Sequence, residues 1–431
     1  MEHPLTVAVI GLGKIGLPIA AQYAFRGHTV IGVDIRSNVV ASVSAGKSHI
    51  AGEPLLDERV STTVAAGSLR ATQDVASAVG QANVVVVAVP LITDAEGKAD
   101  FATIDEVTRT MGASLKSGTL VLYETTLPLG TTRGRLGPVL EQSSGLRLGD
   151  SLFLAFSPER VYSGRVFEDL SKYPKIVGGV DPESTARAVA FYGSVLDADV
   201  LPVANAETAE FAKLAETTYR FVNVALADQL ALFGRERGVN ISEAFAAANT
   251  QPFSQIHHPG IGVGGHCIPV YPRFLLEASR NGELSLVRDA QRIDDAMPAT
   301  YLNLLSDVLG GLRGKRVVVL GVSYRPNIKE TAFSAAFRVV TVLKQEGALV
   351  TVHDPLFSDD ELRDLGFESV PLQEAAAADA VIVQAFHRQY QDLDWKLFRC
   401  LRAVIDGRGG VPAALFTGSD IAFISLDVNK A

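Results

Sequence analysis

The chain has 431 residues, 39 of them Lys or Arg and 48 Asp or Glu, for a formal net charge of -9; 47% are hydrophobic and 20% charged. Such a composition belongs to a globular protein of about three domains at roughly 150 residues each, and its acidic balance lacks the basic surplus that a nucleic-acid partner requires. The two cysteines, Cys267 and Cys400, cannot build a disulfide framework, no Cys/His cluster has metal-ligand spacing, and the expectation is a protein of the reducing cytoplasm without a metal.

The opening MEHPLTVAVIG carries no basic segment before its apolar run, so no signal peptide is expected. Runs rich in β-branched residues follow at intervals: Thr6–Ile10, Thr29–Val33, Val84–Val89, Thr119–Tyr123, Leu152–Phe156 and Lys175–Val177. The longest apolar run, Val84–Pro90, is strand-sized; a bilayer span needs roughly 20 residues, and no membrane partner is expected. Apolar strands separated by helix-length segments predict a parallel sheet buried on both faces, up to about residue 203.

The period then changes. Ala212, Ala215, Tyr219, Val222, Leu226, Leu230 and Phe233 recur at helical spacing, with Asn205 as N-cap and Gly238 as C′ residue. At about 1.5 Å per residue this helix would run roughly 45 Å, long enough to link two domains and carry a subunit interface. The stretch HHPGIGVGGHCIPVYP reads as an ordered loop, and helical segments continue to Leu309. A second α/β series begins at Lys315, with strands Arg316–Leu320, Leu349–His353, Ala380–Gln384 and Ala403–Asp406; Cys400 falls in a segment read as helix and reads as an inert buried residue. The predicted fold is α/β: two Rossmann-like doubly wound domains, 1–204 and 310–431, joined by a long central helix and an all-helical middle domain, 205–309.

Gly11-Leu12-Gly13-Lys14-Ile15-Gly16 follows the first strand and opens a helical stretch, Leu17–Phe25, and Asp34 ends the next strand 18 residues after Gly16. In that context the glycines suit a tight turn, the approach of a pyrophosphate to backbone N–H groups, and close helix–strand packing. The helix N-terminus adds partial positive charge. Asp34 would accept hydrogen bonds from a ribose 2′-hydroxyl and repel a 2′-phosphate, which favours NAD; Arg36 blurs that preference. The competing readings are an ordinary Gly-rich turn and a flavin site.

Cys267, within Gly264–Pro269, has a histidine beside it and Gly-rich backbone around it, a setting for covalent chemistry by a thiolate; a lone cysteine is otherwise an inert buried residue. Lys213 lies on the central helix with Thr217 one turn later, although a lysine there is commonly a surface residue. Glu124–Thr131 and Ser157–Arg160 each follow a strand, where sheets of this kind place functional loops.

Taken together, GLGKIGLPIA, ETTLPLGTT, SPERV, EFAKLAETTYRFVNVALADQL, GVGGHCIPV, GVSYRPN and DGR resemble, in order and over nearly the whole chain, the UDP-glucose/GDP-mannose dehydrogenase family. The GGHC and SPERV forms look more like its UDP-N-acetylmannosamine and UDP-N-acetylglucosamine dehydrogenases. The resemblance implies an NAD-dependent, two-step oxidation of a UDP-hexose C6 alcohol to the uronate. Cys267 would form a thiohemiacetal and then a thioester, Lys213 would stabilise oxyanions, Glu159 would transfer protons and Thr126 would orient water. It further implies cofactor contacts from Gly11, Gly13, Lys14, Ile15, Gly16, Asp34, Arg36, Pro90 and Thr126. Substrate contacts would come from Glu159, Arg160, Lys213, Thr217, Arg220, His258 and Gly265, and from Tyr324, Arg325 and Arg408 in a UDP-sugar-binding third domain. The first domain would hold NAD, the middle domain would carry the cysteine loop and a homodimer interface, and the active site would lie between the two α/β domains.

The chain departs from the family pattern at four positions. Thr217 stands where the family has asparagine, Tyr271 where it has aspartate, and Ala332 and Phe333 where it has arginine and glutamate. Losing an oxyanion donor can be worth roughly 3 kcal/mol, and a phenol with a pKa of about 10 does not replace a carboxylate. Three functions are therefore weighed: four-electron oxidation to the uronate, altered or incomplete two-electron chemistry on the same scaffold, and nucleotide-sugar binding without catalysis.

Overall fold

The structure, a computed structural model, describes residues 4–94, 98–280 and 282–426. By compactness the chain divides into two units, 1–215 and 216–431, the division falling inside the helix Ala206–Arg235.

Unit 1 is built on an eight-stranded sheet. Its strands are β1 (Thr6–Ile10), β2 (Thr29–Val33), β3 (Leu69–Thr72), β4 (Val84–Val87), β7 (Thr119–Tyr123), β8 (Leu152–Phe156), β9 (Lys175–Gly179) and β10 (Val200–Pro202); β5 (Ile92–Thr93) and β6 (Ala99–Asp100) form a separate short pair. The order is β10-β9-β8-β7-β4-β1-β2-β3. From β3 to β8 all pairs are parallel and the sequence of strands is the doubly wound 3-2-1-4-5-6. β4, β7 and β8 are buried along their whole length, as expected of strands covered on both faces.

The expectation of an all-parallel sheet fails at one edge. β9 runs antiparallel to β8, extends to Gly179 rather than Val177, and carries β10 beside it. Apolar periodicity marks a buried strand but carries no information on its direction. β4 ends at Val87, two residues earlier than read. The sequence reading passed over β3 because LRAT is a short edge strand, and β10 because VLP is only three residues long and ends in proline.

Unit 2 holds a five-stranded parallel sheet, β11 (Arg316–Leu320), β12 (Leu349–His353), β13 (Ala380–Val383), β14 (Ala403–Asp406) and β15 (Ala422–Ile424), in the order β12-β11-β13-β14-β15. This is the doubly wound order 2-1-3-4-5. Apolar clusters cover both faces of it. Helices fill the middle of the chain, at Ala206–Arg235, Ile241–Ala248, Tyr271–Ala278 and Ser285–Leu309. The two-sheet α/β fold with a helical middle region is thus the one read from the sequence. Among the described residues no helix is long and apolar enough to cross a membrane.

The long helix begins and ends as expected. Asn205 Oδ1 accepts the Thr208 N–H at 2.8 Å, and Gly238, at φ 68°, donates its N–H to the Arg235 carbonyl. Its apolar residues divide between two faces. Leu214, Phe221, Ala225, Ala227 and Ala231 are buried, whereas Tyr219, Leu226, Leu230 and Phe233 of the predicted stripe are exposed by 38–59%. Cys400 departs from its reading outright: it is exposed and lies in a turn, because the helical geometry before it lasts only the single turn Trp395–Leu397 before the chain enters β14.

The segment from Gly260 to Cys267 is ordered by buried carboxylates. Asp228 accepts the Gly260 N–H at 2.8 Å; Asp294 accepts the Val263 N–H at 2.6 Å and is held by Arg338 at 3.1 Å. Ile261 and Gly265 donate to the carbonyls of Gly407 and Ala332. Four backbone donors of the segment are thereby directed at fixed acceptors.

Two outcomes follow from this packing. A Cβ on Gly178 in β9 would overlap the Asn205 carbonyl at the start of the long helix, so Gly178→Ala costs about 2 kcal/mol and lowers the Tm by roughly 4–8 °C in a thermal melt. Burial pushes the Asp228 carboxyl up to about 8, against the Gly260 hydrogen bond. The folded chain therefore retains this proton through neutrality where the unfolded chain has lost it, and the stability present below about pH 4 is lost as the pH rises through 8. Asp228→Asn keeps an acceptor for Gly260, so urea unfolding at pH 8.5 becomes harder by about 1–3 kcal/mol while at pH 5 the change is smaller.

Candidate active site

In unit 1 the candidate residues lie at the carboxyl ends of the strands, at the switch point between β1 and β4. Gly11 turns the chain out of β1 at φ 94°, donates its N–H to the Val33 carbonyl at 2.8 Å, and has Ala88 so close that a side chain has no room. A Cβ on Gly16 would overlap the Gly11 carbonyl, while one on Gly13 would meet nothing within 4 Å. The turn is thus closed behind and open in front, above Lys14, Ile15 and the N-terminus of the helix Gly16–Phe25, which is a cradle that fits a dinucleotide pyrophosphate.

Asp34, at the end of β2, accepts the Leu12 N–H at 3.1 Å and is gripped by Arg36 through its backbone N–H and guanidinium at 2.9–3.2 Å. Burial would raise its carboxyl, but Arg36 and the Leu12 amide outweigh burial and hold it below the usual range. Ile35 beyond it is 89% exposed, an open apolar surface past the end of β2. Pro90 is exposed after β4 and Thr126 is buried after β7. Glu210 of the long helix anchors the Thr126 segment, accepting from the N–H groups of Gly130 and Thr132 and from the Thr132 hydroxyl at 2.5–2.8 Å.

Glu159 follows β8. Its Oε1 accepts the Arg160 N–H at 2.9 Å and its Oε2 accepts from Lys175 Nζ at 2.6 Å. Burial pushes this carboxyl up; Lys175, the Arg160 amide and the more distant Lys213 overcome burial and keep it ionised, below its ordinary value. Arg160 reaches back to the Pro174 carbonyl. Lys213 and Thr217 are both buried on the long helix. What unit 1 assembles is an ionised carboxylate able to take a proton, within electrostatic range of an ammonium.

In unit 2 the Cys267 thiol is exposed, which sets aside the reading of an inert buried residue; its Sγ donates to Tyr271 Oη at 3.6 Å, and Tyr271 opens the helix Tyr271–Ala278. His266 pairs with Glu330 at 2.5 Å. Gly264 and Gly265 pack on the Tyr324 side chain, and the Arg408 guanidinium lies beside Gly260, its Nε donating to the Gln384 carbonyl at 3.3 Å and its buried Nη2 taking no hydrogen-bond partner from the described residues. The structure therefore gathers Gly265, Cys267, Tyr324 and Arg408 about one loop. Arg220 lies near His257, whose pKa falls through burial and then through that charge, and His258 follows it in the chain, ahead of Gly260. Arg325 is exposed beside Tyr324.

Sequence reasoning missed Lys175 and gave Glu124 no role. Lys175 is buried between the two carboxylates, 3.3 Å from Glu124 and 2.6 Å from Glu159. The signal was available: a lysine heading the strand KIVGG, buried throughout, has to be paired.

Sequence models of one family match in succession: the NAD binding domain of the UDP-glucose/GDP-mannose dehydrogenase family at residues 5–196, its central domain at 207–296 and its UDP binding domain at 318–411. The UDP-N-acetyl-D-mannosamine dehydrogenase of Pyrococcus horikoshii is 35% identical, over 94% of this chain and 95% of that one. The NDP-N-acetyl-D-galactosaminuronic acid dehydrogenase of Ralstonia solanacearum is 34% identical, over 94% of this chain and 96% of that one. The solved structure of the Pyrococcus horikoshii UDP-N-acetylmannosamine enzyme superposes with a TM-score of 0.89 at 33% identity, covering 99% of this chain and 100% of that one. With the glycine turn, the two sheets and these full-length matches in agreement, the chain belongs to the UDP-glucose/GDP-mannose dehydrogenase family, the NAD-dependent oxidoreductases that act on nucleotide sugars.

Proposed function

We propose that the protein oxidises the C6 hydroxyl of a UDP-N-acetylhexosamine to the uronate in two successive two-electron steps. The observation that carries this is the accessible thiol of Cys267, set on the loop that packs on Tyr324 and Arg408. The substrate class is supported by the relatives named for UDP-N-acetyl-D-mannosamine and an NDP-N-acetyl-D-galactosaminuronic acid.

Bound NAD supplies the hydride acceptor in each step. As C6 loses its first hydride the hydroxyl proton passes to Glu159, and Lys213 stabilises the developing oxyanion. The Cys267 thiolate adds to the aldehyde to give a thiohemiacetal, which loses a hydride and a proton to become a thioester. Water oriented by Thr126 then cleaves the C–S bond, returning the thiol and releasing the carboxylate. Asp34, with Arg36 locked onto it, reads the ribose hydroxyls and favours NAD. Residues 1–204 serve the cofactor, 205–309 the thiol and a homodimer interface, and 310–431 the UDP end through Tyr324, Arg325 and Arg408. The exposed Tyr219, Leu226, Leu230 and Phe233 on the long helix support a homodimer. The free thiols of Cys267 and Cys400 support a cytoplasmic location.

A second reading, oxidation that stops after two electrons, is favoured by one observation: the group 3.6 Å from the thiol is the Tyr271 phenol rather than a carboxylate. Counting NADH per sugar consumed, with UDP-N-acetylmannosamine, UDP-N-acetylglucosamine and UDP-glucose, separates the two. Two per sugar is expected, and one assigns the protein to the second reading. Binding of a UDP-sugar with no turnover would leave nucleotide-sugar binding as its function. Cys267→Ala is expected to cut carboxylate formation roughly 10³-fold or more with little change in UDP-sugar binding; unchanged carboxylate output removes the thioester from the reaction.

A further inference from the structure

Beneath Glu159 lies a set of ionisable groups for which the reaction as written has no use. Glu124, one residue past β7, is 3% exposed and its Oε1 accepts hydrogen bonds from the phenols of Tyr23 at 2.9 Å and Tyr192 at 2.7 Å. Its Oε2 lies 3.3 Å from Lys175 Nζ, an ion-pair distance without hydrogen-bond geometry. Lys175, 4% exposed, gives its hydrogen bond to Glu159 instead, and its ammonium also sits 4.9 Å from the Tyr192 ring centre. Tyr23 and Tyr192 come from helices Gly16–Phe25 and Pro182–Val195, which pack on the same face of the sheet, so two helices and the ends of the strands converge on this point. Glu159 is the most exposed member, at 11%.

Burying two carboxylates around one ammonium is expensive, and packed apolar side chains stabilise a core at least as well. Its arrangement has a chemical consequence instead. A lone Lys175–Glu159 pair would resist protonation of Glu159, because neutralising that carboxylate would strand a buried ammonium. With Glu124 present, Lys175 keeps a counter-ion whichever state Glu159 is in.

We propose that Glu124 and Lys175 are positioning residues for the oxidation: Lys175 holds Glu159 in place and ionised, and Glu124 is the standing counter-ion that lets Glu159 take up the substrate proton. The balance is simple. As C6 loses hydride and the oxygen loses its proton, the proton bonds to Glu159 Oε1 or Oε2, the Lys175 charge is matched by Glu124, and the proton then leaves to solvent through the exposed edge of Glu159. Burial, with Glu159 adding to it, holds the Glu124 carboxyl above its ordinary value, while Lys175 and the phenols of Tyr192 and Tyr23 favour its anion. The groups facing Glu159 are Lys175 from β9, Glu124 after β7, the Arg160 amide, and Lys213 from the long helix.

This rests on the proton-transfer role given to Glu159, and the test keeps the two apart. Glu124→Gln retains an acceptor for both phenols, and is expected to lower kcat about tenfold with the KM for UDP-sugar unchanged, because Glu159 becomes a weaker base. Lys175→Met is expected to raise the acidic limb of the kcat/KM profile by about 1–3 pH units, because the cation favouring the carboxylate is gone, and Lys175→Arg to return it toward the parent value. Should Lys175→Met fail to fold, the split between kcat and KM in Glu124→Gln decides. A parent-like kcat in Glu124→Gln, or an acidic limb that stays in place in folded Lys175→Met, overturns the proposal while a dead Glu159→Gln leaves the proton-transfer role standing. Full turnover by Glu159→Gln overturns both.

Discussion

Both sheets depend on the same constraint, met where the first strand of each ends at its switch point. The residue leaving β1 is Gly11, whose N–H donates to the Val33 carbonyl of the neighbouring strand at 2.8 Å; the residue leaving β11 is Gly321, whose N–H donates to the His353 carbonyl at 2.8 Å. One position later, the N–H of Leu12 is caught by Asp34 and that of Val322 by Asp354, each the first residue past the second strand of its sheet. A backbone turning sharply out of a buried strand must find acceptors for its N–H groups, and a neighbouring carbonyl followed by a carboxylate provides them. The two turns are therefore equivalent in construction, although only the first carries three glycines.

What differs is what happens to the carboxylate. Asp34 is held on its open side by Arg36, whose donors and the Leu12 amide occupy both of its oxygens. Asp354 is sealed. His387, wholly buried, puts Nε2 3.1 Å from Asp354 Oδ2, and its Nδ1 accepts the Asn327 N–H at 2.9 Å, so the ring hydrogen lies on Nε2 and points at the carboxylate. Where unit 1 pairs this acid with an exposed arginine, unit 2 has turned it into an internal anchor for the 323–328 loop, which carries Tyr324 and Arg325. The turn without the dinucleotide fingerprint is thus also the one whose acid is closed off by a buried histidine.

The sequence disclosed what depends on runs and spacings. Strands such as Val84–Val87 and Leu152–Phe156, the glycine turn, the Asn205 cap and the cysteine loop are all signalled locally, because each is specified by its own few residues. It concealed what depends on long-range pairing. The antiparallel sense of β9 is set by a partner, Phe156, some twenty positions away, and the Lys175 network draws on Tyr23, Glu124, Glu159 and Tyr192 from four separate segments. The exposure of Cys400 was hidden for a related reason: a helical pattern of one turn is indistinguishable from the start of a longer one until the next strand is placed. Gly265, Tyr324 and Arg408, distant in sequence, lie about one loop, a proximity that no local pattern announces.

Buried acidic side chains do one recurring job: they receive backbone N–H groups of loops. Glu210 holds the Thr126 segment, Asp228 and Asp294 hold the loop leading to Cys267, and Asp406 takes the N–H groups of Arg408, Gly409, Gly410 and Val411. Each fixes a loop without adding a side chain to its outer face, so the face remains available to a ligand. Beside the thiol itself stands Tyr271 instead of an acid. Standing at the first position of its helix, it presents a neutral phenol oxygen to Sγ and stacks its ring toward Phe274. A phenol can accept the thiol hydrogen but, unlike a carboxylate, brings no charge of its own to the contact.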